Sequence, residues 1–182
     1  MEHISVNDKI RLERIKLSMA PEIFAAIDHD RIYLKQWLPF VEMTLNVQDT
    51  ERFINSVTSD KKYKRDEIFS IRYHESFAGL IGFKDTDWNN RKTELGYWLA
   101  EELQGKGIIT TCVKKLISFA FVKMKLNRVQ IKVAVGNHKS EAIPNRLGFQ
   151  LEGIERAGEF HENKYLDLKV FSLLKKDWLA LV

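Results

Sequence analysis

Leu95-Gly96-Tyr97-Trp98-Leu99, followed by Gln104-Gly105-Lys106-Gly107-Ile108-Ile109-Thr110-Thr111, is the stretch on which the fold of this 182-residue chain turns. The first part is an apolar, strand-like run. The second opens a strongly apolar segment, Ile109 to Met124, with Ile109, Val113, Leu116 and Ala120 at helical spacing. A strand, a glycine turn and a helix start together make an anion site. Glycine lets the backbone approach a ligand closely, and the first helical N–H groups have no acceptor inside the helix. A diphosphate is the natural guest of such a turn, although an isolated Gly-x-Gly also serves simply to shape a strand-to-helix connection.

Two familiar phosphate loops do not fit. A Walker loop ending at Gly105-Lys106 needs glycine where Ala100 stands and Ser or Thr where Gly107 stands. A dinucleotide fingerprint needs a third glycine at Thr110 and a parallel strand–helix–strand setting. The residues before the turn read instead as an antiparallel meander: strands at 67–73, 80–83 and 93–100, with turns at 75–79 and Asn89-Asn90. Upstream, residues 6–18 alternate as a strand. Pro21 to Ile27 reads as a helix with proline in its first turn, a second helix covers about 29–38 and ends at Pro39, and a third runs from Asp49 to about Ser59. Downstream come a strand with Val129, Ile131, Val133 and Val135, a short helix at about 139–147, and strands near 149–159 and 164–174. The order β, α, α, α, β, β, β, α, β, α, β, β predicts an α+β domain with a mixed, mostly antiparallel central sheet of about seven strands flanked by helices.

Composition narrows the class. The length fits a single domain over 1–182, and 45% hydrophobic with 11% aromatic residues excludes a disordered chain. No apolar run reaches membrane-spanning length, and the start Met1-Glu2-His3-Ile4-Ser5 lacks the features of a signal peptide. Cys112, the single cysteine, excludes an internal disulfide and fits a cytoplasmic protein. The net charge of +4 is spread along the chain, without the concentrated basic face of a nucleic-acid partner. The five histidines show no metal-ligand spacing, so no metal is expected.

Asn137-His138-Lys139-Ser140, followed by Asn145-Arg146-Leu147-Gly148-Phe149, is the second informative element. With Gln104-x-x-Gly107 upstream it resembles the GNAT superfamily of acetyl-CoA-dependent N-acetyltransferases. Glu94 to Leu99, Tyr165-x-Asp167 and Trp37-Leu38-Pro39-Phe40-Val41 resemble the branch of ribosomal-protein N-terminal (serine/alanine) acetyltransferases. The family's turn pattern is Gln/Arg-x-x-Gly-x-Gly/Ala, and Ile109 departs from its last position; that side chain must point away from the phosphates. The resemblance implies a GNAT-like fold with a splayed strand pair at the cofactor site and acetyl-CoA as cosubstrate. It further implies a primary amine acceptor, first of all a protein N-terminus such as that of a ribosomal protein. A small amine (antibiotic, polyamine or amino acid) and a non-catalytic acyl-CoA-binding module are the alternatives. A homodimer is compatible with the sequence.

The resemblance also implies site residues. The pantetheine arm pairs with main chain near Tyr97, Trp98 and Leu99. The pyrophosphate sits on N–H groups of Gly105, Lys106, Gly107, Ile108, Ile109 and Thr110, beside Gln104. Asn137 orders the following loop and contacts the cofactor, as does Ser140. Amide formation needs a neutral amine and a proton for the leaving thiolate. An α-amine, with a pKa about 8, needs only a modest base, whereas a lysine near 10.4 needs more help. Glu159 is the expected base, acting directly or through water, and Glu94 its rival. Ser140 is the expected acid, unless it serves only as a helix N-cap, in which case Pro144 leaves its carbonyl without a helical donor. Tyr97 and Tyr165 are read as packing or substrate-facing residues, Cys112 as a small apolar filler, and His161 as a surface-turn residue or part of the acceptor groove. Trp37 to Val41 is either core or one wall of that groove.

Overall fold

The computed structural model describes residues 3–59 and 66–181; Met1 and Glu2 of the signal-peptide reading lie outside them. One eight-stranded sheet runs through the molecule: β1 (His3–Ser5), β2 (Ile10–Arg14), β3 (Glu67–Tyr73), β4 (Ser76–Asp87), β5 (Lys92–Leu99), β6 (Arg128–Ala134), β7 (Gln150–His161) and β8 (Lys164–Leu174). Their spatial order is β1-β2-β3-β4-β5-β6-β8-β7. Every neighbouring pair among the described residues is antiparallel except β5–β6. Among the described residues seven helices flank the sheet: α1 (Ala20–His29), α2 (Arg31–Leu34), α3 (Phe40–Met43), α4 (Val47–Ser59), α5 (Ile108–Ser118), α6 (His138–Arg146) and α7 (Lys175–Leu179).

Strand alternation divides the sheet's side chains between two cores. On one face Phe69, Phe83, Leu95 and Ile131 meet α5 through Ile109, Val113 and Leu116. On the other, Leu80 and Trp98 meet α1, α3 and α4 through Ile23, Ile27, Val41 and Ile54. Arg72 on β3 clamps α1 to this second face, donating to Glu13 at 3.0 Å and to Glu22 at 2.8 Å.

The α+β class and the largely antiparallel mixed sheet are as the sequence predicts; several details are not. The sheet has an eighth strand, β1, whose three residues are too few to show a period. The expected turn at 75–79 belongs mostly to β4, and the chain reverses at His74 and Glu75, both with positive φ. Gly79 sits inside the strand because a Cβ there would lie 2.2 Å from the Trp98 carbonyl oxygen. The helix expected at 29–38 is broken. Asp30 leaves helical geometry, with φ −100° and ψ 19°, and its carboxylate accepts the Glu101 backbone N–H at 2.8 Å. The helix after the glycine turn ends as α5 at Ser118 and continues as a wider π turn over Phe119–Lys123.

Candidate active site

β5 and β6 pair in parallel only at Lys92–Arg128, Thr93–Val129 and Glu94–Gln130. Beyond that register β5 runs on to Leu99 and β6 to Ala134 without pairing to each other, which opens a wedge in the sheet. The wedge leads into a cleft of about 790 Å³. Its floor is Tyr97, Trp98 and Leu99; one wall is the turn from Gln104 to Thr111, and the other is α6 with Asn137, Ser140 and Arg146. The chain has arranged the turn for an anion. Gly105 and Gly107 both have φ +72°, a left-handed conformation that side-chain-bearing residues avoid, and a Cβ at either would point into open space. The first bond inside α5 runs from the Thr111 N–H to the Gly107 carbonyl at 3.0 Å. The N–H groups of Ile108, Ile109 and Thr110 therefore have no helical acceptor, at the positive end of the helix dipole. Gln104 Nε2 is buried there without a hydrogen-bond partner. This is a fit for a pyrophosphate at the turn and an extended arm along β5.

Ile109, the departure from the family pattern, is 8% exposed and packs in the α5 core, so its bulk leaves the turn open. Lys106 is exposed and outside the cleft lining. The lining holds two cations that the sequence reading passed over, Lys139 and Arg146. Lys139 Nζ donates to Gln104 Oε1 at 2.7 Å and Arg146 to Thr110 Oγ1 at 3.1 Å, tying α6 to the turn. Both residues lie in the quoted Asn137–Phe149 element, where helical spacing alone gives no reason to aim them at the turn. Tyr33, Trp37 and Leu38 close the cleft from the opposite layer, whereas Val41 is core.

Asn137, not Ser140, is the helix N-cap: its Oδ1 accepts the Ser140 N–H at 3.1 Å. Pro144 has no N–H for the Ser140 carbonyl, and the Tyr97 hydroxyl supplies the missing donor at 3.3 Å. The Ser140 hydroxyl donates in turn to Tyr97 Oη at 3.3 Å. Burial pushes the Tyr97 phenol up to about 12, so it stays protonated at neutral pH.

Glu94 and Glu159 lie on the sheet face away from α5. Glu94 is buried and fully engaged, 2.7 Å from Lys84 Nζ and accepting from Gln130 Nε2 at 2.9 Å. Glu159 is half-buried on β7, opposite Leu166. Burial raises its carboxyl above the ordinary value, opposed by the nearby Lys84 ammonium. The Tyr165-x-Asp167 motif explains its placement. A bulge separates Glu155 from Glu159, and Asp167 Oδ1 fixes it by accepting the Ala157 N–H at 2.8 Å. The Asp167 carbonyl accepts the Val135 N–H at 2.9 Å, so one residue ties this bulge to the end of β6. His161 is buried, not on a surface turn, while Tyr165 is exposed and packs against Phe160. Cys112 is buried in the core and its thiol is pushed up to about 12, as suits an apolar filler. Among the described residues no cluster of His, Cys, Asp and Glu has metal-binding geometry, and no helix is long and apolar enough to cross a membrane.

A mixed sheet splayed beside a glycine turn and helix start is the architecture of an acyl-transferring enzyme with a diphosphate-bearing donor. The family model for the acetyltransferase (GNAT) domain matches residues 9–150, and the chain belongs to the GNAT family of acetyl-CoA-dependent N-acetyltransferases. It is 37% identical to "Putative ribosomal N-acetyltransferase YdaF" of Bacillus subtilis (strain 168), over 95% of each chain. It is 28% identical to the ribosomal-protein-serine acetyltransferase of Escherichia coli (strain K12), over 94% of this chain and 96% of that one. Among solved structures it resembles the microcin C7 self immunity acetyltransferase MccE in complex with acetyl-CoA and AMP, with a TM-score of 0.90 and 31% identity over 95% and 96% of the two chains.

Proposed function

We propose that this enzyme, as a single acetyltransferase domain in the cytoplasm, acetylates the α-amino group of a protein N-terminus, such as that of a ribosomal protein. The observation that carries the reading is a half-buried carboxylate, Glu159, beside the Asp167-pinned bulge on the sheet face away from α5, outside the lining of the cleft itself. The ribosomal-protein relatives point to the same acceptor class. Acetyl-CoA lies with its pyrophosphate on the N–H groups of Gly105 to Thr110 and its pantetheine along Tyr97 to Leu99. Gln104, Asn137 and Ser140 border it.

Glu159 is the base, directly or through one water, because Glu94 is already engaged by Lys84 and Gln130. The neutral amine attacks the acetyl carbonyl, the C–S bond breaks, and Glu159 holds the amine's proton. The Ser140 hydroxyl donates a hydrogen bond to the sulfur as it departs as a thiolate, which then takes a proton from solvent, and Tyr97, bonded to both the hydroxyl and the carbonyl of Ser140, positions that hydroxyl in the cleft.

A second reading is a small-molecule amine acceptor, favoured by the likeness to a spermidine N(1)-acetyltransferase of Vibrio cholerae, 24% identical over 84% of this chain. Thiol release from acetyl-CoA, measured with serine-starting peptides and with small amines such as spermidine, separates the two. The N-terminal reading expects faster release with the peptides; release with small amines only overturns it.

A further inference from the structure

A buried imidazole without a hydrogen-bond partner is unfavourable, because its nitrogens carry a donor and a lone pair that water no longer satisfies. His161 is in that position. It is 2% exposed, and neither Nδ1 nor Nε2 has a hydrogen-bond partner. Its place on β7 gives the observation meaning. Glu159 opposes Leu166 and His161 opposes Lys164, so the two residues share one face of the β7–β8 hairpin. Side chains two apart on a strand stand roughly 7 Å from each other. An amine held at Glu159 therefore brings the substituents of its own α-carbon within reach of the imidazole.

We propose that His161 is a specificity residue that reads the acceptor beside its amine. A ring nitrogen hydrogen-bonds a hydroxyl on the first residue, so that serine- and threonine-starting N-termini are acetylated in preference to alanine-starting ones. The proposal rests on the N-terminal reading above. A hydroxyl both donates and accepts, and so satisfies either tautomer of the ring. A methyl side chain leaves the nitrogens unpartnered in a desolvated site, which is why polar pockets discriminate strongly against acceptors lacking the polar group. An acidic first residue meets the Glu159 carboxylate on the same face. Glu162, next in the chain, forms an ion pair at 3.6 Å with Lys35, just after α2, and both side chains are substantially exposed.

The test compares kcat/KM for two peptides differing only in serine or alanine at the first position, in the wild type, His161→Leu and His161→Met. The wild type is expected to favour serine by about tenfold or more. In the apolar variants the ratio falls to within about twofold, with CoA affinity unchanged and the melting temperature not lowered, since neither variant has a buried nitrogen to satisfy. Whichever variant folds decides the point. No serine preference in the wild type, or an unchanged ratio in a folded variant, overturns the proposal and leaves the N-terminal reading standing. Turnover of spermidine but of neither peptide overturns both.

Discussion

The Tyr97 hydroxyl shows how one residue joins local backbone chemistry to the site. Proline at 144 withholds a helical hydrogen bond, the Ser140 carbonyl is left over, and a strand residue from across the wedge satisfies it. Removing the hydroxyl in Tyr97→Phe therefore orphans a carbonyl and costs about 1–2 kcal/mol. Pro144→Ala returns an N–H to that carbonyl, so the double variant is predicted to recover part of the loss. Urea denaturation across the four proteins measures the coupling, and strictly additive changes contradict the account. Glu159 carries the prediction for turnover. Glu159→Gln lowers kcat about a hundredfold with little change in CoA affinity. A base works deprotonated, and burial raises this carboxyl above its ordinary 4.5. The acidic limb of the wild-type pH–rate profile should therefore lie above that value and vanish in the variant. Unchanged turnover in Glu159→Gln moves the base to water or to Glu94.

At the scale of elements, the wedge depends on β5 and β6 parting after Glu94 and Gln130, and on a turn whose two glycines hold φ +72°, where a side-chain-bearing residue costs about 1 kcal/mol. Gly107→Glu places a side chain at φ +72° and a carboxylate where a pyrophosphate is to sit. Calorimetry should find CoA binding weakened about tenfold or more; wild-type affinity in a folded Gly107→Glu protein contradicts the assignment of the turn. Much of this element was legible in the sequence, because glycine spacing and helical periodicity are local signals. The bulge that places Glu159 was not. It depends on an Asp167 side chain bonding a backbone N–H ten residues away. The burial of Glu94 and His161 was equally hidden, since each is decided by which strand lies alongside and what covers it. Asn137 illustrates a smaller miss: cap and serine are three residues apart, and sequence alone left the capping role open to Ser140.

The whole molecule is a sheet with a core on each face, and the reaction needs both. In the proposed reading the glycine turn and α6 would hold the donor, and the face that carries Glu159 and His161 would receive the acceptor. The order of strands brought out this division only once β8 was seen between β6 and β7, a crossover that no local pattern encodes. The account's central claim is that the amine entering from the second face is a protein N-terminus. Incubating the enzyme with isotopically labelled acetyl-CoA and a cell lysate, then locating the label by mass spectrometry, tests it most directly. The account predicts label on protein α-amino groups. Label confined to small amines or to lysine side chains contradicts it.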